Sequence, residues 1–131
     1  MRILRNAIQT PDGTILESLY RHDYKFHIDK NGNSYSIDGG RIYLKRSYDV
    51  EDFKDLSIID NGTLEIQRKY IKWGRNYDKN MKRLKKTEWI LIKDLSTEHI
   101  YKILELDLNF YMRRLLEDEI IYRESLILKE L

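Results

Sequence analysis

The chain has 131 residues, no cysteine, 35% charged residues and a formal net charge of +2. That length and balance fit a soluble globular protein with one real core, and exclude a disordered chain, a disulfide scaffold and a thiolate metal site, so a reducing compartment is expected. The start, Met1-Arg2-Ile3-Leu4-Arg5-Asn6, lacks the apolar run of a signal peptide. No run approaches membrane-spanning length, so a cytoplasmic protein without a membrane partner is expected.

Residues 1–60 read as mainly β. A first strand is predicted over Arg2 to Ile8, followed by a turn at Thr10-Pro11-Asp12-Gly13-Thr14, where Pro presets φ and Gly accepts a positive one. Ile15 to Ile28, rich in Tyr, Ile and Phe, reads as continuous extended chain. Strand alternation would put His22 and Tyr24 on one face, and Arg21, Asp23 and His27 on the other. Asn31-Gly32 is the strongest hairpin signal, with Asn33 to Ile37 returning. Asp38-Gly39-Gly40 requires a tight turn or a bulge. Arg41 to Ser47 continues the sheet or starts a helix, Tyr48 to Leu56 is loop-like, and Leu56 to Ile59 fits a short edge strand.

Asp60 is the predicted N-cap of a helix over 61–73, stopped by Gly74. Residues 74–86 show no apolar period and read as a mobile basic loop. A strand over 87–93 follows. Helices are then expected over 96–131, the first capped by Ser96 or Thr97, with a break around Asp107 to Asn109. Met112, Leu115, Leu116, Ile120 and Ile127 form the stripe of the last helix, while Ile121, Leu126, Leu128 and Leu131 fall partly outside it. A surplus of that kind predicts a homo-oligomer formed through the C-terminal helix. The expected fold class is α+β in one domain: an N-terminal antiparallel β-meander with C-terminal helices packed on it.

Several segments together resemble a small, uncharacterised protein family of tailed bacteriophages and prophages. They are Asp12-Gly13-Thr14, Arg21-His22-Asp23-Tyr24 with His27, Asn31-Gly32, Asp38-Gly39-Gly40, Tyr43-Leu44 with Arg46-Ser47, Trp73-Gly74, Leu95-Ser96 with His99-Ile100, and Glu117 and Glu119 with Tyr122-Arg123. The resemblance spans almost the whole chain and is most specific in the Arg-His-Asp-Tyr and Asp-Gly-Gly segments. It implies a phage setting, hence the cytoplasm of an infected bacterium, and no activity. The basic segment between Gly74 and Thr87 departs from the pattern, which has a shorter, more Gly-rich stretch there.

For chemistry, His22, His27, Asp23 and Asp29 are metal-ligand types at poor spacing, and His99 would join only through the fold, so neither a metal nor a cofactor is assigned. No nucleophile motif, P-loop or carboxylate pair marks a catalytic residue. A small phosphoesterase using His22 or His27 stands as an alternative. The leading expectation is a non-enzymatic ligand site. In it Arg21, His22, Arg41 and Arg46 supply cationic donors, Tyr24 and Tyr43 stack, Asp23 and His27 add polar contacts, and Gly39 and Gly40 admit a ligand. Its partner would be a small phosphorylated molecule or nucleotide, and the protein a phage accessory that sequesters a nucleotide-derived bacterial immune signal. The alternative is a module that binds nucleic acid or inhibits a host protein through Arg75, Lys79, Lys82, Arg83, Lys85 and Lys86.

Overall fold

The computed structural model describes residues 2–59 and 63–130 and shows an α+β protein, antiparallel strands first and helices after them. The chain, expected from its length to form one domain, divides into two compact units, Met1–Gly62 and Thr63–Leu131.

The first unit is built on β1 (Ile3–Gln9), which pairs antiparallel with β2 (Ile15–Ser18). Further along the chain, β6 (Lys54–Asp55) and β7 (Ile58–Ile59) also pair with β1. A second sheet is a meander of β3 (Lys25–Ile28), β4 (Ser34–Asp38) and β5 (Lys45–Tyr48). Ile8, Leu16, Tyr35 and Ile37 form the core of this unit, with Phe53 packed against it.

Ile15 to Ile28 is not one strand. The chain turns between β2 and β3, because Ser18 and Asp23 offer the backbone other partners. The Ser18 hydroxyl donates to the Asp23 carbonyl at 2.6 Å, and the Asp23 carboxylate accepts the Leu19 N–H at 2.8 Å. The Asp23 N–H donates to the Tyr20 carbonyl at 3.0 Å, and His22 sits at φ +66°. The expected strand faces therefore do not extend through Arg21 to Tyr24; alternation applies only within β3.

In the second unit, Thr63 caps α1 (Leu64–Tyr70), its side chain accepting the Ile66 N–H. The predicted cap, Asp60, lies outside the described residues. The helix ends at Tyr70 rather than Trp73. Lys72–Tyr77 then forms β8, paired with β9 (Arg83–Leu91). Gly74 does not stop a helix. It lies in β8 opposite Trp89, and a Cβ there would come within 3.0 Å of the Trp89 ring, so its missing side chain seats the indole. The expected basic loop over 74–86 is thus a hairpin. Its register shifts between Arg75 and Tyr77, placing Leu84 to Thr87 opposite Asn76. That irregularity erases the two-residue period by which a strand is recognised.

A 3-10 turn, Ile92–Asp94, follows β9. Ser96 caps α2 (Thr97–Leu104), and Asn109 accepts the Met112 N–H at the start of α3 (Phe110–Glu130). Ile92, Ile100, Ile103, Leu115, Leu116 and Ile120 fill the core of this unit. Ile127, expected on the buried stripe, is exposed, as are Ile121, Leu126 and Leu128. One acid is buried in the core of this unit. Glu119 is 0% exposed and takes Arg68 Nε at 2.7 Å, Arg68 Nη2 at 3.2 Å and Arg123 Nε at 2.8 Å. Arg68 also stacks over the Tyr122 ring at 4.6 Å.

One loop design closes three hairpins. In Thr10–Thr14, Asp29–Asn33 and Asp78–Lys82 the first N–H donates to the last carbonyl at 2.9 Å. In each, the fourth residue donates back to the first carbonyl and takes a positive φ: Gly13 at +90°, Gly32 at +81° and Met81 at +63°. This is a type I turn closed by a residue in the left-handed region. Asp29 and Asp78 hold their loops in the same way, each Oδ1 accepting two loop N–H groups.

Candidate functional site

Two groups of residues stand as candidates, one in each unit. In the first, the Leu19 to Tyr24 turn meets the Gly39-Gly40 turn. His22 is exposed, and its Nδ1 lies 2.8 Å from the Tyr43 hydroxyl. Burial, helped by the Asp38 carboxylate, pushes that hydroxyl's pKa up. Arg21 is exposed and makes no hydrogen bond or ion pair among the described residues. Tyr24 is exposed and stacks at 6.5 Å on Phe26.

The other members of that predicted set are engaged within the fold. Asp23 is buried, and Lys25 Nζ lies 3.2 Å from its Oδ1. His27 turns to the first hairpin, with Nε2 at 2.8 Å from Asp12 Oδ2. The Thr10 hydroxyl and then His27 hold the Asp12 carboxyl far below the usual carboxylate range. Arg46 bonds Asp55 at 3.0 Å, reaches the Ser57 hydroxyl and lies over the Phe53 ring. Arg41 is half-buried; desolvation lowers its pKa against the pull of Glu17.

Gly39 and Gly40 leave no opening for a ligand. A Cβ on Gly39 would meet the Tyr43 carbonyl oxygen at 1.9 Å, and one on Gly40 would meet the Tyr20 backbone at 2.4 Å. Both are buried, at φ +106° and +52°, and the Gly40 N–H donates to Ser18 Oγ at 2.8 Å. These glycines let two backbone turns pack together. Arg21, Asp23 and His27, expected on one face, have different surroundings: solvent, the Leu19 turn and the Asp12 loop.

The second candidate is the β8–β9 hairpin. Lys79 and Lys82 flank its tip, and Lys85 and Lys86 lie in the irregular part of β9. All four are exposed and have no ion-pair partner among the described residues. Arg83 is also exposed, its guanidinium 5.7 Å from the Tyr77 ring centre and bonded to the Tyr77 hydroxyl. Arg75 differs: Glu88 neutralises it at 2.7 Å. The predicted nucleic-acid residues other than Arg75 are thus exposed cations on one two-stranded ribbon.

Sequence reasoning missed Asp12 as the partner of His27, Glu119 as the centre of an arginine pair, and Met81. The first depends on a contact between separate hairpins. The second had a visible signal in the four-residue spacing of Glu119 and Arg123. The third had one in the repeated Asp-Lys-Asn at 29–31 and 78–80, which marks both as the same loop. Among the described residues no group of three or more His, Asp or Glu is placed to hold a metal ion, and no helix is long and apolar enough to cross a membrane. No known family, curated protein or solved structure matches the chain.

Proposed function

We propose that this protein binds double-stranded DNA through the β8–β9 hairpin. The observation that carries the proposal is the set of unpaired, exposed lysines on that ribbon: Lys79, Lys82, Lys85 and Lys86. Desolvated or paired cations would be structural. Solvated, unpaired ones can neutralise phosphates and so displace the counterions condensed on a duplex. A two-stranded ribbon fits a groove of B-form DNA, major or minor, whereas the major groove of A-form RNA is too deep and narrow for side chains to read. Ion pairing removes Arg75 from the set, and the Tyr77 stack fixes the direction of Arg83.

The exposed Ile121, Ile127 and Leu128 of α3 support association with a second copy, which would present two ribbons to one duplex. Light scattering at micromolar concentration tests that part, and a monomer would refute it.

The DNA proposal is tested by fluorescence anisotropy with a labelled 20-base-pair duplex at low salt. Wild type binds, and the Lys79→Gln/Lys82→Gln/Lys85→Gln/Lys86→Gln variant binds more than about tenfold more weakly. Equal binding by both proteins would refute it, and tighter binding to double-stranded RNA would move the assignment away from DNA.

A second reading has its own support. Exposed Arg21, with no ion pair, stands beside His22, whose left-handed backbone presents the imidazole to Tyr43. That pairing of donors suits a small phosphorylated ligand. A thermal shift with ADP-ribose or a cyclic dinucleotide that Arg21→Ala abolishes would support it, and a shift that survives the substitution would refute it.

A further inference from the structure

We infer that Met81 is the group that reaches between base pairs when the hairpin binds DNA, so that the preferred target is duplex DNA already unstacked at one step. This inference rests on the DNA-binding reading of β8–β9. The three hairpin loops share one geometry, and two of them put glycine where φ must be positive. The third begins with the same residues, Asp78-Lys79-Asn80 matching Asp29-Lys30-Asn31, yet carries Met81 in place of glycine. An unbranched side chain is strained at φ +63°, so the position is not filled for the sake of the turn. Nor is it filled for packing. Met81 is 77% exposed, the most exposed large apolar side chain among the described residues.

What surrounds it fits a wedge. Lys79 and Lys82 lie on either side in sequence, both solvated, and would hold the phosphates flanking the step that Met81 enters. Apolar side chains that enter base steps from the minor groove unstack them and kink the duplex, and methionine is one of the residues used. Its flexible, polarisable thioether adapts to the opened step. A duplex with an unpaired base or mismatch has already met part of the unstacking cost and should bind tighter.

Anisotropy titrations with an intact duplex, and with the same duplex carrying one unpaired adenine, test the inference. Wild type is expected to prefer the second by about tenfold. Met81→Gly, which suits the turn at least as well, should bind both at the wild-type affinity for intact DNA, and Met81→Leu should keep most of the preference. A Met81→Gly protein that keeps the full preference, or a wild type that shows none while binding intact DNA, overturns the wedge and leaves the hairpin reading in place. A wild type that binds neither duplex overturns both.

Discussion

Replacing Glu119 by leucine should destabilise the second unit by about 3 kcal/mol. The substitution removes three charge-assisted hydrogen bonds, at 2.7, 3.2 and 2.8 Å, from a carboxylate that is 0% exposed. Breaking a buried ion pair from one side costs about 3–5 kcal/mol, chiefly because the partner charge is stranded. Two features place this site at the lower end. The Arg68 and Arg123 side chains are 18% and 19% exposed, so water reaches both guanidinium groups in part. Arg68 keeps its stack on Tyr122, and Arg123 keeps Thr97 at 3.0 Å and the Ile92 carbonyl at 3.2 Å. Urea unfolding followed by tryptophan fluorescence is the assay, since both tryptophans, Trp73 and Trp89, lie in this unit. Adding Arg68→Met to Glu119→Leu removes one stranded charge. The pair should therefore cost about 1–2 kcal/mol less than the sum of the two single changes. A loss below about 1 kcal/mol for Glu119→Leu, or strict additivity in the pair, would refute this account of the network.

Two further predictions concern the first unit. Gly40→Ala forces a Cβ to 2.4 Å from the Tyr20 backbone at φ +52° and should cost more than about 3 kcal/mol. Gly32→Ala, at φ +81° with nothing within 4 Å, should cost only about 1–2 kcal/mol. Equal losses in circular-dichroism melts would show that the two turns do not pack as described. For Asp12, the folded carboxyl titrates below its ordinary 3.8, because the Thr10 hydroxyl and His27 favour the charged form. Its contribution is thus complete above about pH 4 and fades as pH falls toward the folded value. Asp12→Asn should therefore be less stable than wild type at pH 7 and lose less on acidification to pH 3. An identical loss in both proteins would contradict the pairing.

Much of the fold was written locally. Ser96, one of two predicted caps, begins α2, because a short polar side chain satisfies a free N–H group of the first turn, and the expected break around Asp107 to Asn109 separates α2 from α3. Asn31-Gly32 marked the β3–β4 hairpin, since only a few residues accept its positive φ. What failed was decided by contacts that propensity does not show, some local and some distant. The β-forming residues of Ile15 to Ile28 hid a turn that Ser18 and Asp23 enforce. Gly74 looked like a helix stop because the Trp89 ring that covers it lies 15 residues away in sequence. The candidate ligand site illustrates the same limit: Arg46 and His27 were the right residue types, but their partners, Asp55 and Asp12, come from separate segments of the chain. The basic surface was legible as charge and illegible as a ribbon, because its shifted register removed the alternation.

The measurement that bears most directly on the DNA proposal is the dependence of affinity on salt, for wild type and for the variant lacking Lys79, Lys82, Lys85 and Lys86 charges. Each lysine that neutralises a phosphate adds about 0.9 to the slope of log K against log salt. If all four touch the backbone, the slope should become shallower by about 3–4 in the variant, with the tryptophan unfolding transition unchanged. An unchanged slope would mean that the phosphates are met elsewhere, and would contradict the hairpin as the DNA-binding surface.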